Sequence, residues 1–261
     1  DLNISLKNLL IIDCQRRLKL NDPCENYEIK KNANGRITIG EKAYKVNIRP
    51  KLGRKIHFQD RNNTSLKINL KNGKRIFGME DFDIQDPIIR NYTYEAIASD
   101  MLKKQNILVP KHKYVRFYIN GNYKGIKHIE ENIASDLVER QAKRYGPVFH
   151  QSKNVASTFG SVKFEAHDKK YWENSNQELL NNGMIVLNQS QNDPKKFRKL
   201  INIEKWAKYF AFADALNLYH GSVPKSVRFY LNPVYGKFEL IFVDGHFTGA
   251  ENFKDFYFVD F

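Results

Sequence analysis

The sequence predicts an α+β chain in two lobes, a strand-rich N-terminal lobe over residues 1–131 and a mainly helical C-terminal lobe over residues 132–261. Three observations predict it. Period-two alternation of apolar residues fills the first third, helical spacing dominates later, and two strands close the second lobe as a β-hairpin. At 261 residues and 41% hydrophobic, the chain can bury a full-sized core and is not a disordered sequence.

Ile37-Thr-Ile39 follows Asn34-Gly35, a hairpin-turn dipeptide, and Tyr44 to Ile48 alternates with period two. Leu66, Ile68 and Leu70 alternate with Lys67, Asn69 and Lys71 before Asn72-Gly73 turns the chain. Asp86-Pro87 opens a helix to about Lys104, with Ile89, Tyr92, Ala96 and Met101 at helical spacing. A second hairpin follows, with Val115, Phe117 and Ile119 on one face, Asn120-Gly121 at the turn, and Tyr123 to Glu130 returning.

In the second lobe a helix spans about Ala134 to Tyr145. Residues 151–192 are mostly polar and read as a surface excursion with a short helix around Gln177 to Leu180. A long apolar helix covers Ile203 to about Leu218. The loop from Tyr219 to Pro224 then leads into strands Val227–Leu231 and Phe238–Val243.

Composition bounds the partners. There are 43 basic and 29 acidic residues, a net charge of +14, which favours polyanions: acidic proteins, anionic lipid, nucleic acid or ATP itself. The bases are dispersed in small groups such as Lys30-Lys31 and Lys195-Lys196, so the charge permits nucleic acid without pointing to it. No apolar run approaches the roughly 20 residues that span a bilayer, and no secretory leader pattern opens the sequence. Cys14 and Cys24, ten positions apart with no histidine pair and no CxxC, do not form a zinc pattern. A disulfide and two buried thiols both stay open. The sequence lacks GxSxG, HExxH, a Walker loop and GxGxxG, so hydrolase, zinc-protease and Rossmann readings lose support.

The richest stretch is Leu240-Ile-Phe-Val243, an apolar run that should be buried on both faces and must leave the core at Asp244. It would deliver a carboxylate to a fixed place, with Gly245 for the turn and His246 beside it. A rigid acid of this kind holds the magnesium of a nucleotide; an acid-glycine pair is equally an ordinary turn. Asp214 follows Ala207, Phe210 and Ala211 at helical spacing, so partial burial is expected, with either a structural or a catalytic role. Glu130 and Glu131 should face opposite sides of their strand, one inward to hold a lysine or metal; they could instead be first-turn acids of the next helix. Lys67 sits on a strand but on its polar face. It is either a phosphate-pairing lysine or ordinary surface. His220 and Lys225 flank a loop that could overlie Asp214 and Asp244, and His220 could equally cap a helix.

Read together, several motifs resemble the CotH family of spore-coat kinase-like proteins, from about Val46 to Gly249. They are His57-Phe-Gln-Asp60 with Ser65 to Ile68; Gly78 to Pro87 followed by Arg90 to Glu95; Val115 to Glu131; Phe229 to Pro233; and Phe242-Val-Asp-Gly245. The resemblance implies an atypical protein-kinase-like fold that binds ATP with Mg²⁺ or Mn²⁺ and phosphorylates serine or threonine on a partner protein. It implies phosphate pairing by Lys67, support from Glu130 or Glu131, metal binding by Asp244, and a catalytic group at Asp214 or His220. Where family members carry a second acid two residues after the metal-binding aspartate, this chain has His246, a poor magnesium ligand. The expectation is therefore an ATP- and Mg²⁺-dependent phosphotransferase acting on an acidic protein. The alternatives are a non-catalytic kinase-like binding protein at a spore or cell surface, and another ATP-dependent transferase moving AMP or an amino acid. Spore coat, cell surface and cytoplasm all stay open.

Overall fold

The computed structural model describes residues 1–24, 32–152, 163–190, 193–222 and 226–245. It is a mixed α+β protein and divides into two compact units: Asp1–Tyr92 with Lys111–Asn132, and Thr93–Pro110 with Ile133–Phe261. The stretch Thr93–Pro110, which sequence reading places with the first lobe, belongs to the second unit.

In the first unit seven strands close a barrel: β1 (Leu2–Asn3), β2 (Ala33–Ile39), β3 (Lys42–Pro50), β4 (Leu66–Leu70), β5 (Asp81–Gln85), β6 (His112–Ile119) and β7 (Asn122–Glu131). They run β1-β2-β3-β4-β5-β7-β6, and a parallel β1–β6 pairing at Leu2 and Ile119 completes the ring. Closure leaves no long unpaired edge. Alternation fills the interior: Val46 and Ile48, Leu66, Ile68 and Leu70, Phe82 and Ile84, and Ile129 form one core. Helix α1 (Leu6–Lys19), capped by Ser5, packs Ile11 and Ile12 into it. Cys14 on this helix is joined to Cys24 by a disulfide, which settles the two alternatives.

Asn34-Gly35 is not a turn. It lies inside β2, and the hairpin turns at Gly40-Glu41, between Ile39 and its partner Lys42. Glycine is needed at position 35 for space: a Cβ there would sit 2.7 Å from the Ile48 Cδ1. By contrast Asn120-Gly121 does turn, both residues having positive φ (50° and 78°). The helix expected from Asp86 is broken. A 3-10 turn, Pro87–Arg90, stops at Asn91 and Tyr92, both left-handed (φ 50° and 58°).

The second unit holds α2 (Tyr94–Lys104), α3 (Ser135–Glu139), α4 (Lys169–Ser175), α5 (Gln177–Ser190), α6 (Pro194–Leu200), α7 (Ile203–Ala215) and α8 (Tyr219–Ser222). Its sheet has four antiparallel strands, β8 (Val148–Gln151), β9 (Phe164–Ala166), β10 (Arg228–Asn232) and β11 (Lys237–Ile241), in the order β11-β10-β8-β9. On α2 the buried side chains are Glu95, Ala98, Ser99 and Leu102, while Ile97 and Met101 are exposed, so the helix turns a different face inward from the one its apolar spacing suggests. Instead of a short helix near Gln177, α5 runs for 14 residues and buries Leu180, Gly183 and Leu187 against the sheet. Gly183 is a packing glycine: a Cβ would lie 2.7 Å from the Phe149 ring.

Candidate functional site

The first unit carries a buried polar layer on the outer face of β4, β5 and β7. Alternation gives β5 two faces: Phe82 and Ile84 enter the barrel, so Asp81, Asp83 and Gln85 point outward. Register places Lys67 opposite Asp83, Asp83 opposite Glu130, and Gln85 opposite His128. Asp83 is buried and receives two ammonium groups, Lys51 Nζ at 2.6 Å and Lys67 Nζ at 3.1 Å, with Asn132 donating at 3.2 Å. Burial alone would raise the Asp83 pKa, but Lys51 and Lys67 reverse that and hold the carboxyl well below the ordinary range. Lys67 keeps 29% of its side chain exposed, so its ammonium is the more open of the two.

The acid facing Lys67 is therefore Asp83, and neither glutamate plays that part. Glu130 accepts from Arg90 Nε at 2.8 Å and from Gln85 at 2.7 Å. Burial works against its charge, yet Arg90 and Lys51 hold its pKa low. Glu131 accepts from the Lys111 backbone amide at 2.8 Å. Both glutamates are buried, so neither faces solvent, and both belong to β7 and not to the next helix. The outer face of β7 is closed by charged and polar side chains, so alternation there separates two buried environments. His128 completes the layer, 2.9 Å from His112, and burial pushes it down to about 3, so it is neutral. The left-handed break at Asn91-Tyr92 ends the turn that carries Arg90, and the Tyr92 carbonyl accepts the Tyr114 hydroxyl at 2.6 Å.

The second unit carries Asp244. The run before it is buried as expected up to Phe242, with Leu240, Ile241 and Phe242 at most 3% exposed, while Val243 is half-buried. The Phe242 amide donates to the Leu108 carbonyl, and the chain leaves the core at Asp244, which is itself left-handed (φ 60°). The turn is thus made by Asp244 and not by Gly245. Gly245 supplies space, since a Cβ would fall 2.1 Å from the Phe242 ring. Two groups fix this turn, the buried Glu95 and the half-buried His220. The Gly245 amide donates to Glu95 Oε1 at 3.1 Å, and His220 Nδ1 lies 3.2 Å from both the Asp244 carbonyl and its Oδ2. Two oxygen acceptors around Nδ1 place the histidine proton there. Gly221 lets α8 approach, for a Cβ would sit 2.6 Å from the Val243 carbonyl. The half-buried Arg228 guanidinium, whose pKa burial lowers, has the Asp244 carboxylate as its electrostatic neighbour and donates to the Ser226 and Val227 carbonyls.

The structure brings His220 and Asp244 together. It does not bury Asp214, which is exposed in the last turn of α7. The apolar neighbours that suggest burial continue around that helix, and its buried residues are Tyr209 and Ala213. Lys225 and His246 lie outside the described residues. Lys51, Asp83, Glu95 and Arg228 are site groups that sequence reading misses. Strict alternation in Asp81-Phe-Asp-Ile-Gln85 is the signal that could have found β5 and Asp83.

Residues 54–252, about three quarters of the chain, match a family model described as CotH kinase protein. No curated protein matches the chain.

Proposed function

The chain belongs to the CotH family, and on that premise we propose that it is an ATP- and Mg²⁺-dependent phosphotransferase acting on serine or threonine of a partner protein. The observation that carries this reading is Asp244: a carboxylate at the end of a buried strand, in a strained backbone turn, oriented by His220. Magnesium when bound neutralises charge on the phosphates being transferred. Among the described residues no group of three His, Cys, Asp or Glu side chains gathers into a metal cage. That fits magnesium, which is commonly held by one or two carboxylates with phosphates and water. Asp244 would hold it, and His220 fixes the direction of the carboxylate.

Lys67 pairs with phosphate and Asp83 keeps its ammonium in place, the part that resemblance gave to a glutamate. The Arg90–Glu130 pair braces the same sheet face. Of Asp214 and His220 we take His220, as the group that positions Asp244, because it lies on that carboxylate. Phosphoryl transfer needs positioning and charge neutralisation more than covalent chemistry from the protein, and these groups are of that kind.

One observation favours a second reading, a non-catalytic kinase-like binding protein: the Arg228 guanidinium is already an electrostatic neighbour of the Asp244 carboxylate, and a cation there competes with a metal. Incubation with magnesium and ATP labelled at either phosphorus separates the readings. Transfer of γ-label that Asp244→Ala abolishes supports phosphorylation. Retained α-label indicates AMP transfer instead, and no incorporation of either label favours the binding protein.

A further inference from the structure

Helix α6, Pro194-Lys-Lys-Phe-Arg-Lys-Leu200, carries four cations in seven residues. At 100° per residue Lys195, Lys196, Arg198 and Lys199 occupy an arc of about 160°, and all four are exposed. Phe197 and Leu200 point the other way into the core of the second unit, where the Phe197 ring meets Trp206 edge-on at 5.4 Å. The helix is thus anchored on one side and uniformly basic on the other.

Two other helices of the chain balance lysines with acids. Lys208 pairs with Glu204 at 2.7 Å on α7, and Lys169 with Glu173 at 3.4 Å on α4. On α6, among the described residues, no acid pairs with any of the four. Lys196 reaches only the neutral Gln189, at 3.4 Å, and the capping Asp193 accepts the Lys196 backbone amide. The arrangement also costs stability. Lys195 and Lys196 stand in the first turn, where cations oppose the helix dipole, and Lys195–Lys199, Lys195–Arg198 and Lys196–Lys199 are like-charged neighbours at helical spacing. A bound anion would relieve both penalties.

We propose that α6 is the docking face for an acidic polypeptide segment. Membrane insertion needs an outward apolar face, and here the apolar residues turn inward. Single-stranded nucleic acid needs exposed rings for base stacking, and the one ring on α6 is packed against Trp206. Seven helical residues extend roughly 10 Å, the reach of about three residues of an extended acidic chain. A segment docked there would be tethered to the second unit; that it belongs to a phosphorylated protein rests on the function proposed above, whereas the docking does not.

The test is anisotropy titration of a labelled peptide of Glu and Asp, without nucleotide, against the full chain, Lys195→Gln/Lys196→Gln, and Lys103→Gln/Lys104→Gln. The last pair lies exposed in the final turn of α2 and changes net charge equally. The peptide should bind the wild type and the α2 variant alike. It should bind the α6 variant roughly tenfold more weakly, the scale of two surface ion pairs. Thermal midpoints should move in opposite directions, up for the α6 variant and down for the α2 variant. Absence of peptide binding to the wild type, or equal binding to the α6 variant, overturns the proposal. So does equal weakening in both variants, which would reduce the effect to net charge. Tighter α6-dependent binding of oligo-dT or of phosphatidylserine vesicles would overturn it in favour of those partners. Label transfer from ATP is not read in this assay, so failure of docking and failure of catalysis remain separate results.

Discussion

Asp83 holds two ammonium groups on one buried carboxylate, and this decides how the first unit responds to substitution and to acid. Removing the charge leaves Lys51 and Lys67 facing each other. Asp83→Asn should therefore destabilise the protein by about 2–4 kcal/mol at neutral pH, less than for a fully enclosed pair because Lys67 is partly solvated. Because the folded pKa of Asp83 lies below its ordinary value, its contribution is fully present above about pH 4–5 and is lost as acid protonates it. Wild-type unfolding free energy, measured by urea titration from pH 6 downward, should fall more steeply than that of Asp83→Asn; parallel curves would count against the pairing. In the second unit the function proposed has His220 act through Asp244. His220→Ala should lower the magnesium dependence of label transfer by about 10- to 100-fold in apparent affinity while leaving the thermal midpoint nearly unchanged. A loss of transfer that excess magnesium cannot restore would contradict a positioning role.

At the level of elements, two glycines mark where a helix meets the sheet or its strand ends too closely for a side chain. Gly183→Ala would gain up to about 1 kcal/mol of helix propensity, but its Cβ meets the Phe149 ring, so a net loss of about 1–2 kcal/mol is expected from chemical denaturation. Gly221→Ala pushes on the Val243 carbonyl, one residue before Asp244, and should cut label transfer more than it lowers stability. Elements with strong local signals were legible in the sequence: β4 matches its predicted bounds, and the Asn120-Gly121 hairpin turns where expected. What misled was residue chemistry with two uses. Glycine at position 35 reads as half of a hairpin turn, but it serves close packing against Ile48 on the neighbouring strand. Helix α1 was hidden because Leu9-Leu-Ile-Ile12 has no clear helical face, and α6 because its charges look like solvated surface. Of the site, Asp244 and His220 could be read from the chain because strand and loop signals bracket them. The Lys67–Asp83 pair could not, since cross-strand register is a property of the folded sheet.

For the whole molecule, the net charge of +14 has one consequence: anionic ligands should bind, and bind more weakly in salt. Transfer from ATP requires more than this attraction. On the function proposed, phosphate pairing by Lys67 and metal binding by Asp244 are both required. Calorimetric titration of MgATP into the wild type, Lys67→Ala and Asp244→Ala tests that requirement most directly. The prediction is saturable binding to the wild type that each substitution weakens at least about tenfold, with the Asp244→Ala loss vanishing when magnesium is left out of every titration. Absence of nucleotide binding to the wild type, or binding that neither substitution changes, would contradict it.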